Sequence, residues 1–367
     1  MSVVKPIVQT MTATVAARTL RSGAALAAAG LIDPAEAAAA DAAARTLPIA
    51  ITPEIAALID VTDADDPIAR QFVPDPRELE RRDEERTDPI GDGANSPLSG
   101  IVHRYPDRVL LMPAMTCPVY CRFCFRRDGV GPEGGTLSEA ELDAALDYIR
   151  SHDEIREVIL SGGDPLMLSP RRLGAIVAAL DAMARIEIIR IHTRVPVADP
   201  GRITDKLIAA LGAGTALYVV LHCNHPRELA PAAREAVRAL VDSGIPMLSQ
   251  TVLLKGVNDD ADTMEALMRA LVRNRIKPYY LHHADLARGT GHFRTTIAAG
   301  RALMGSLRGR ISGLCQPSYV LDVPGGFGKA RLGPIDLEDA GADTFRVTDW
   351  RGGTHDYPAA AGDAKVD

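Results

Sequence analysis

Cys117-Pro118-Val119-Tyr120-Cys121-Arg122-Phe123-Cys124 places three thiols in eight residues, at a Cys-x3-Cys-x2-Cys spacing. The run before it, Arg108-Val-Leu-Leu-Met-Pro-Ala-Met-Thr116, reads as a short buried strand. Three thiolates on a compact loop can hold three irons of a cubane [4Fe-4S] cluster and leave the fourth iron without a protein ligand. Such an iron can coordinate a small molecule. A zinc site is a competing use of clustered cysteines, but it usually takes a fourth Cys or His and favours Cys-x2-Cys knuckles. Unrelated buried thiols are the other alternative.

From about residue 101 onward, apolar runs alternate with amphipathic segments. Strands are predicted at 108–115, 156–161, 186–192, 216–222, 247–253 and 276–281. Helices are predicted at 138–151, 170–184, 203–211, 228–243, 260–274 and 294–308. This alternation implies an α/β fold with a parallel sheet and right-handed crossovers. Six units are too few for a closed eight-stranded barrel, so a partial (β/α)6 barrel is expected. Barrels of this kind carry their sites at the C-terminal ends of the strands. Polar or glycine-rich motifs follow nearly every strand here: the Cys loop, Ser161-Gly162-Gly163-Asp164, His192-Thr193-Arg194, His222-Cys223-Asn224-His225, Gln250 and His282-His283-Ala284-Asp285. The two glycines after Ser161 would let a backbone edge approach a ligand, and Asp164 can accept from an ammonium.

Before the barrel, residues 10–47 are Ala-rich with helical spacing, broken at Leu31–Pro34, where Asp33 reads as an N-cap and Pro34 as N1. Residues 51–74 look like an irregular arm. The mixed-charge run Arg77–Arg86 reads as a solvated helix face, and Asp88–Pro97 as a turn-rich linker. The expected division is a helical N-terminal extension and arm (1–98), the barrel core (99–315) and a short C-terminal segment (316–367). That segment opens with a strand, Ser318–Leu321, running into Asp322-Val-Pro-Gly-Gly-Phe-Gly-Lys329. A lysine amine can form a Schiff base with an aldehyde, and the glycines let the chain pass close to a planar group. A nucleotide-binding loop is excluded, since Ala330 follows Lys329 where Ser or Thr is needed. A structural turn is the remaining alternative.

The net charge of -7 argues against a nucleic-acid-binding surface. No run of eighteen apolar residues predicts a membrane span, and Met1-Ser-Val-Val-Lys-Pro6 lacks the form of a secretory signal. Five cysteines, three of them clustered, suit metal binding in a reducing compartment better than disulfides. A cytoplasmic location is therefore expected.

Further elements complete a pattern: His103-Arg-Tyr-Pro-Asp-Arg108, Arg126-Arg127 after the Cys loop, Thr193-Arg-Val-Pro196, His222-Cys-Asn-His-Pro226, Gln250 through Asp259, Pro278-Tyr-Tyr280, His292-Phe-Arg-Thr295 and the Lys329 loop. Together and in this order, over about residues 50–350, they resemble the lysine 2,3-aminomutase family. Its members are radical S-adenosylmethionine (SAM) enzymes that also use pyridoxal 5′-phosphate (PLP). The resemblance implies a barrel of the radical SAM type and a 1,2-amino shift that turns lysine into β-lysine, initiated by a 5′-deoxyadenosyl radical. It implies that Cys117, Cys121 and Cys124 ligate the cluster. Ser161, Gly162, Gly163, Asp164, His222, Asn224 and Gln250 would lie around SAM, with the glycine-rich stretch meeting its amino group. Lys329 would be the catalytic residue that anchors PLP, with Arg104, Tyr105 and Arg108 against that cofactor. Arg126 would pair with the substrate carboxylate, and Asp285 and Asp322 would receive its distal ammonium. Charge logic agrees: a guanidinium fork matches a carboxylate, and two carboxylates favour a cationic side chain and repel glutamate.

The resemblance also implies an amino acid as substrate, an electron donor such as flavodoxin or ferredoxin, and a homo-oligomer; neither a nucleic acid nor a membrane is an expected partner. Zinc-bearing members carry a Cys where this chain has Asp260, and no Cys follows Cys315, so no structural zinc is expected. That loss, Cys121-Arg-Phe-Cys-Phe-Arg-Arg127 and Tyr279-Tyr-Leu-His282 resemble the shorter relatives that make (R)-β-lysine for elongation factor P. The N-terminal extension and His292-Phe-Arg-Thr295 resemble the longer enzymes. Product stereochemistry and arginine as an alternative substrate stay open. A non-catalytic iron-sulfur or PLP-binding regulator is the reading from another class.

Overall fold

Runs such as Val158-Ile-Leu160, Ile188-Ile189 and Val219-Val-Leu221 are apolar on both faces, which suits strands covered on both sides. The computed structural model describes residues 18–333, 336–339 and 344–358. One sheet holds nine strands in sequence order: β1 (Ile101–Tyr105), β2 (Arg108–Ala114), β3 (Glu157–Gly162), β4 (Ile188–Thr193), β5 (Ala216–His222), β6 (Met247–Leu253), β7 (Ile276–His283), β8 (Ser318–Val323) and β9 (Gly328–Arg331). β2 through β8 pair in parallel, while β1 and β9 are antiparallel edges. The six predicted strands are β2 to β7, and β8 adds a seventh parallel strand. The edges meet where the Lys329 amide donates to Tyr105 Oη at 2.9 Å, so the sheet is a nearly closed barrel. It continues without a break across residue 315, and the Lys329 loop is part of its wall.

Strand alternation sends Val158, Leu160, Ile189, Ile191, Val219 and Leu221 outward into a core shared with the crossover helices. Those helices are Glu139–Ser151, Pro170–Asp181, Asp205–Ala210, Pro231–Asp242, Ala261–Arg273 and Ile297–Leu307. Side chains of Ser138, Ser169, Thr204, Asp260 and Thr296 cap five of the six N-termini. Asp260, singled out above for its zinc implication, thus stops the frayed end of a helix. The remaining inward positions, among them Glu157, Ser161, Arg190 and His192, line the barrel interior. No helix among the described residues is long and apolar enough to cross a membrane. Beyond the barrel, Leu337–Asp339, Thr344–Thr348 and Thr354–Pro358 form a small antiparallel sheet.

At the N-terminal side, Gly23–Ala28 and Ala37–Ala43 are the two expected helices, and Asp33 caps the 3-10 turn between them within a capping box. The predicted helical start at 10–17 lies outside the described residues. The arm has its own core of Leu26, Ile51, Ile55 and Phe72, which also takes in Val119 of the Cys loop.

The run Arg77–Arg86 is not the solvated helix face expected of it. Only Pro76–Leu79 makes a 3-10 turn, and Glu78 on it is buried. Its carboxylate accepts from Arg122 Nε at 2.8 Å and Nη2 at 2.7 Å, and from Arg127 Nη2 at 2.6 Å. Arg122 Nη1 also donates to the Leu47 and Pro48 carbonyls, so the arm grips the Cys loop through one fully buried guanidinium. Removing the carboxylate would strand two buried cations. Glu78→Ala is expected to cost about 3–5 kcal/mol in urea unfolding of the cofactor-free protein. A loss below about 1 kcal/mol would contradict this view of the arm.

Candidate active site

A cavity of about 600 Å³ opens at the C-terminal ends of the strands, ample for small-molecule ligands. It is lined by every predicted site residue except Asn224. Asn224 sits behind the wall with both ends of its amide engaged: Nδ2 donates to Gln71 at 3.1 Å and Oδ1 accepts from the Val252 amide at 2.9 Å.

Cys117, Cys121 and Cys124 are free thiols on one wall of this cavity. Among the described residues, no three His, Cys, Asp or Glu side chains are placed to share a single metal ion. Three thiols spread along one cavity wall suit a multi-iron cluster, in which each binds a different iron, better than one zinc. Burial pushes all three thiols up, Cys124 to about 12, so loading iron must displace their protons. Arg194 Nη1 donates to Cys121 Sγ at 2.8 Å. Its Nη2 is held by Glu228 at 2.6 Å and Gln71 at 2.7 Å, and its guanidinium stacks over Phe72. This buried cation lies beside the Cys121 sulfur, where it would surround a cluster bound there, and sequence reading assigned it no role.

The glycines at the end of β3 line the cavity and also permit a close contact inside the protein. A Cβ on Gly163 would lie 2.5 Å from the Thr116 carbonyl oxygen, and Gly162 has φ of 101°. One close approach they permit is to the lead-in of the Cys loop, where the Gly163 amide donates to the Ala114 carbonyl at 2.8 Å. Asp164 is likewise committed inside the protein. Its carboxylate accepts from Thr193 Oγ1 and from the amides of Leu166, Arg194 and Val195. It ties β3 to β4 under the cavity and has little capacity left for an ammonium. Across the cavity, His222 stacks on Phe123 with centroids 5.7 Å apart, and its Nε2 is buried without a partner.

The opposite wall carries Lys329. The β8–β9 register sets Asp322 opposite Lys329, so Nζ reaches the carboxylate at 2.7 and 2.9 Å. Burial opposes the ionised Asp322, but His282 and the Lys329 charge outweigh it and hold the carboxyl well below its usual range. Asp285 accepts no hydrogen bond among the described residues, and burial, then the charge of Asp322, raises it to about 7. Arg108 stacks 3.8 Å over the Tyr105 ring, and Arg104 Nη1 stands 3.8 Å from Asp322. Arg126 Nε and Nη2 meet Asp92 Oδ2 at 2.9 and 2.8 Å, while Nη1 reaches Ser161 Oγ at 3.3 Å.

In the sequence His282 and His192 stand only as members of polar motifs at strand ends, with no assigned role. The structure puts both on the cavity wall, whereas His283 turns away to Tyr319 Oη at 2.8 Å. Strand alternation was the available signal, since His192 follows Arg190 by two residues and shares its inward face.

A near-closed parallel barrel whose first parallel strand, β2, leads into a loop of three thiols on the central cavity is the build of a radical SAM enzyme, and residues 112–268 match the Radical SAM superfamily. The chain is 42% identical over 289 residues to an L-lysine 2,3-aminomutase of Acetoanaerobium sticklandii, covering 79% of this chain and 70% of that one. It is 42% identical over 306 residues to an L-lysine 2,3-aminomutase of Methanococcus maripaludis, covering 83% and 71%. It is 37% identical over 303 residues to a glutamate 2,3-aminomutase of Clostridioides difficile, covering 83% and 72%. The chain belongs to the lysine 2,3-aminomutase family. It is an isomerase of the radical SAM class, and a [4Fe-4S] cluster, SAM and PLP are its cofactors.

Proposed function

We propose that this isomerase moves the amino group of L-lysine from C2 to C3 to give β-lysine. The observation that carries the reading is the pair Asp285 and Asp322 on the wall beside Lys329. Two carboxylates there suit a substrate with a distal cation and would repel the second carboxylate of glutamate. When bound, the cluster and SAM supply a carbon radical, and PLP supplies the aldehyde that holds the migrating nitrogen. The chain's own part is to hold and orient. Cys117, Cys121 and Cys124 ligate the cluster. Ser161, Gly162, Gly163, Asp164, His222 and Gln250 shape the SAM side, with Asp164 acting through the loops it ties. Lys329 supplies the amine that anchors PLP, and Arg104, Tyr105 and Arg108 flank that cofactor. Arg126 takes the substrate carboxylate, and Asp285 and Asp322 its distal ammonium. Val109, Ile159, Phe125 and Val252 give the cavity apolar walls that keep water from a radical centre.

Loaded anaerobically with iron, sulfide and PLP, and given SAM and a strong reductant, the protein is expected to convert L-lysine to β-lysine and leave L-glutamate unchanged. No β-lysine from fully loaded protein would overturn the reading. Arginine fits the same two carboxylates, and competition between the two amino acids decides between them. Chiral separation of the product decides whether it is the (R) form used on elongation factor P. In the cell we infer an electron donor of the flavodoxin or ferredoxin type, which reduction of the cluster requires, together with a cytoplasmic location and a homo-oligomer.

Asp285 gives this reading a pH signature. Its carboxyl, raised to about 7, is neutral below that pH and gains the charge that attracts an ammonium above it. The kcat/KM for lysine is therefore expected to fall about tenfold per pH unit on going below 7. Asp285→Asn should flatten that limb and lower the value at pH 8 by about 10- to 100-fold. A wild-type profile already flat between pH 6 and 8 would refute the assignment.

A further inference from the structure

We infer that Asp92, on the linker before the barrel, is a positioning residue that aims Arg126 at the substrate carboxylate. The inference rests on the reading of Arg126 given above.

A guanidinium carries five N–H donors. In Arg126, Nε and Nη2 share Asp92 Oδ2 at 2.9 and 2.8 Å, and Nη1 reaches Ser161 Oγ at 3.3 Å. Asp92 therefore occupies the side edge of the fork. At least one N–H on Nη1 and one on Nη2 have no partner among the described residues, and Arg126 lines the cavity. Donors on the two Nη atoms can meet the two oxygens of a carboxylate. Asp92 Oδ1 meanwhile accepts from Arg104 Nη2 at 2.9 Å, and the same nitrogen donates to the Ile90 carbonyl at 2.8 Å. One carboxylate thus fixes the two guanidiniums of the site relative to each other. It also offsets their charge where water is scarce, since the side chains of Asp92, Arg126 and Arg104 are only 15%, 13% and 10% exposed.

The linker can do this because it is fastened at both ends of the turn. The Asp88 carboxylate accepts from the amides of Asp92 and Gly93 at 2.9 and 2.8 Å. A Cβ on Gly91 would lie 2.3 Å from the Gly326 nitrogen, and one on Gly326 would lie 2.5 Å from Asn95 Nδ2. The linker therefore lies backbone to backbone against the Lys329 loop. Asp92 joins the carboxylate end of the site to the loop that presents Lys329.

Asp92→Asn keeps the shape and removes the charge. Holoenzyme is titrated with lysine and, separately, with 1,5-diaminopentane, which is lysine without its carboxylate, following the PLP absorption band. The variant is expected to bind lysine at least about tenfold more weakly and the diamine within about twofold of wild type. Its lysine KM should rise by the same factor, with kcat changed less than about threefold. Equal weakening of both ligands would mean a merely structural role and overturns the proposal. Tighter lysine binding would make Asp92 a competitor of the substrate, and overturns it as well. Arg126→Gln is the control: without a carboxylate-selective loss there, the reading of Arg126 itself fails. Selective loss in Arg126→Gln but none in Asp92→Asn refutes the role of Asp92 alone. If Asp92→Asn does not load PLP, Asp92→Glu, which keeps the charge on a longer stem, takes its place; a selective loss supports the proposal and wild-type binding overturns it.

Discussion

Lys329→Arg protein is expected to leave a desalting column without PLP absorbance and to convert lysine at least about a thousandfold more slowly than wild type. Its stability should stay close to wild type. Two roles of Lys329 are separable here. Its Nζ is 2.7 Å from Asp322, an ion pair across the β8–β9 hairpin, and arginine keeps a cation in reach of that carboxylate. Arginine is fully protonated and does not condense with an aldehyde, so the anchor is lost while the charge remains. Lys329→Ala loses both. The Asp322 carboxyl is held below its unfolded value, so its contribution to stability is present above about pH 4 and lost as pH falls through the folded value. Lys329→Ala should diminish that contribution at pH 7, and Lys329→Arg should retain most of it. Lysine conversion by desalted Lys329→Arg at the wild-type rate would rule out Lys329 as the anchor.

That hairpin shows what a sequence can reveal and where it stops. Asp322 and Lys329 were both legible as chemistry-bearing residues, because a glycine-rich turn between two short strands exposes its own purpose. Their direct pairing depends on hairpin register, which spacing alone does not fix. The barrel was legible for a related reason. Each strand ends in a polar motif, so the alternation of β and α segments and the location of the site could be read together. The arm was not legible. Glu78 lies in a run of alternating charges, and local patterning can only weigh neighbours three or four residues away. Its partners Arg122 and Arg127 are 44 and 49 residues distant. Gln71 reaches Arg194 over 123 residues and Glu228 over 157. Asp164 was hidden for the opposite reason: a carboxylate at a strand end looked free in sequence, and three donors from the next strand end and one from its own turn had already claimed it. Buried polar networks of this kind are specified by the assembled barrel, and no single segment of the chain contains them.

Cysteine substitutions should separate along the same division. Cys124→Ala is expected to lose most of its iron and its broad visible absorption on anaerobic desalting, and to cleave SAM at least about a thousandfold more slowly. Two thiolates would then face a cubane with two unligated irons, and the loop offers no other sulfur. Cys223→Ala and Cys315→Ala should load the cluster normally, at a cost of about 1–2 kcal/mol from the small voids they leave. Both residues are buried, but neither reaches the cavity: Cys223 Sγ lies 3.5 Å from the His225 carbonyl, and Cys315 packs in the barrel core. Burial alone therefore does not distinguish the five cysteines, since all are at least partly enclosed. What distinguishes the three proposed ligands is a loop that the arm pins from behind through Glu78 and Arg122 while its thiols face the cavity. If Cys223→Ala emptied the cluster and Cys124→Ala kept it, the loop would not be the ligand set. If Glu78→Ala, still folded in mild buffer, also lost iron faster than wild type, the arm would be shown to hold the cluster loop in its ligating shape and not merely to add stability. That coupling is expected, because of the two cations released by removing Glu78 one, Arg122, sits on the Cys loop and the other, Arg127, directly follows it, on either side of Cys124.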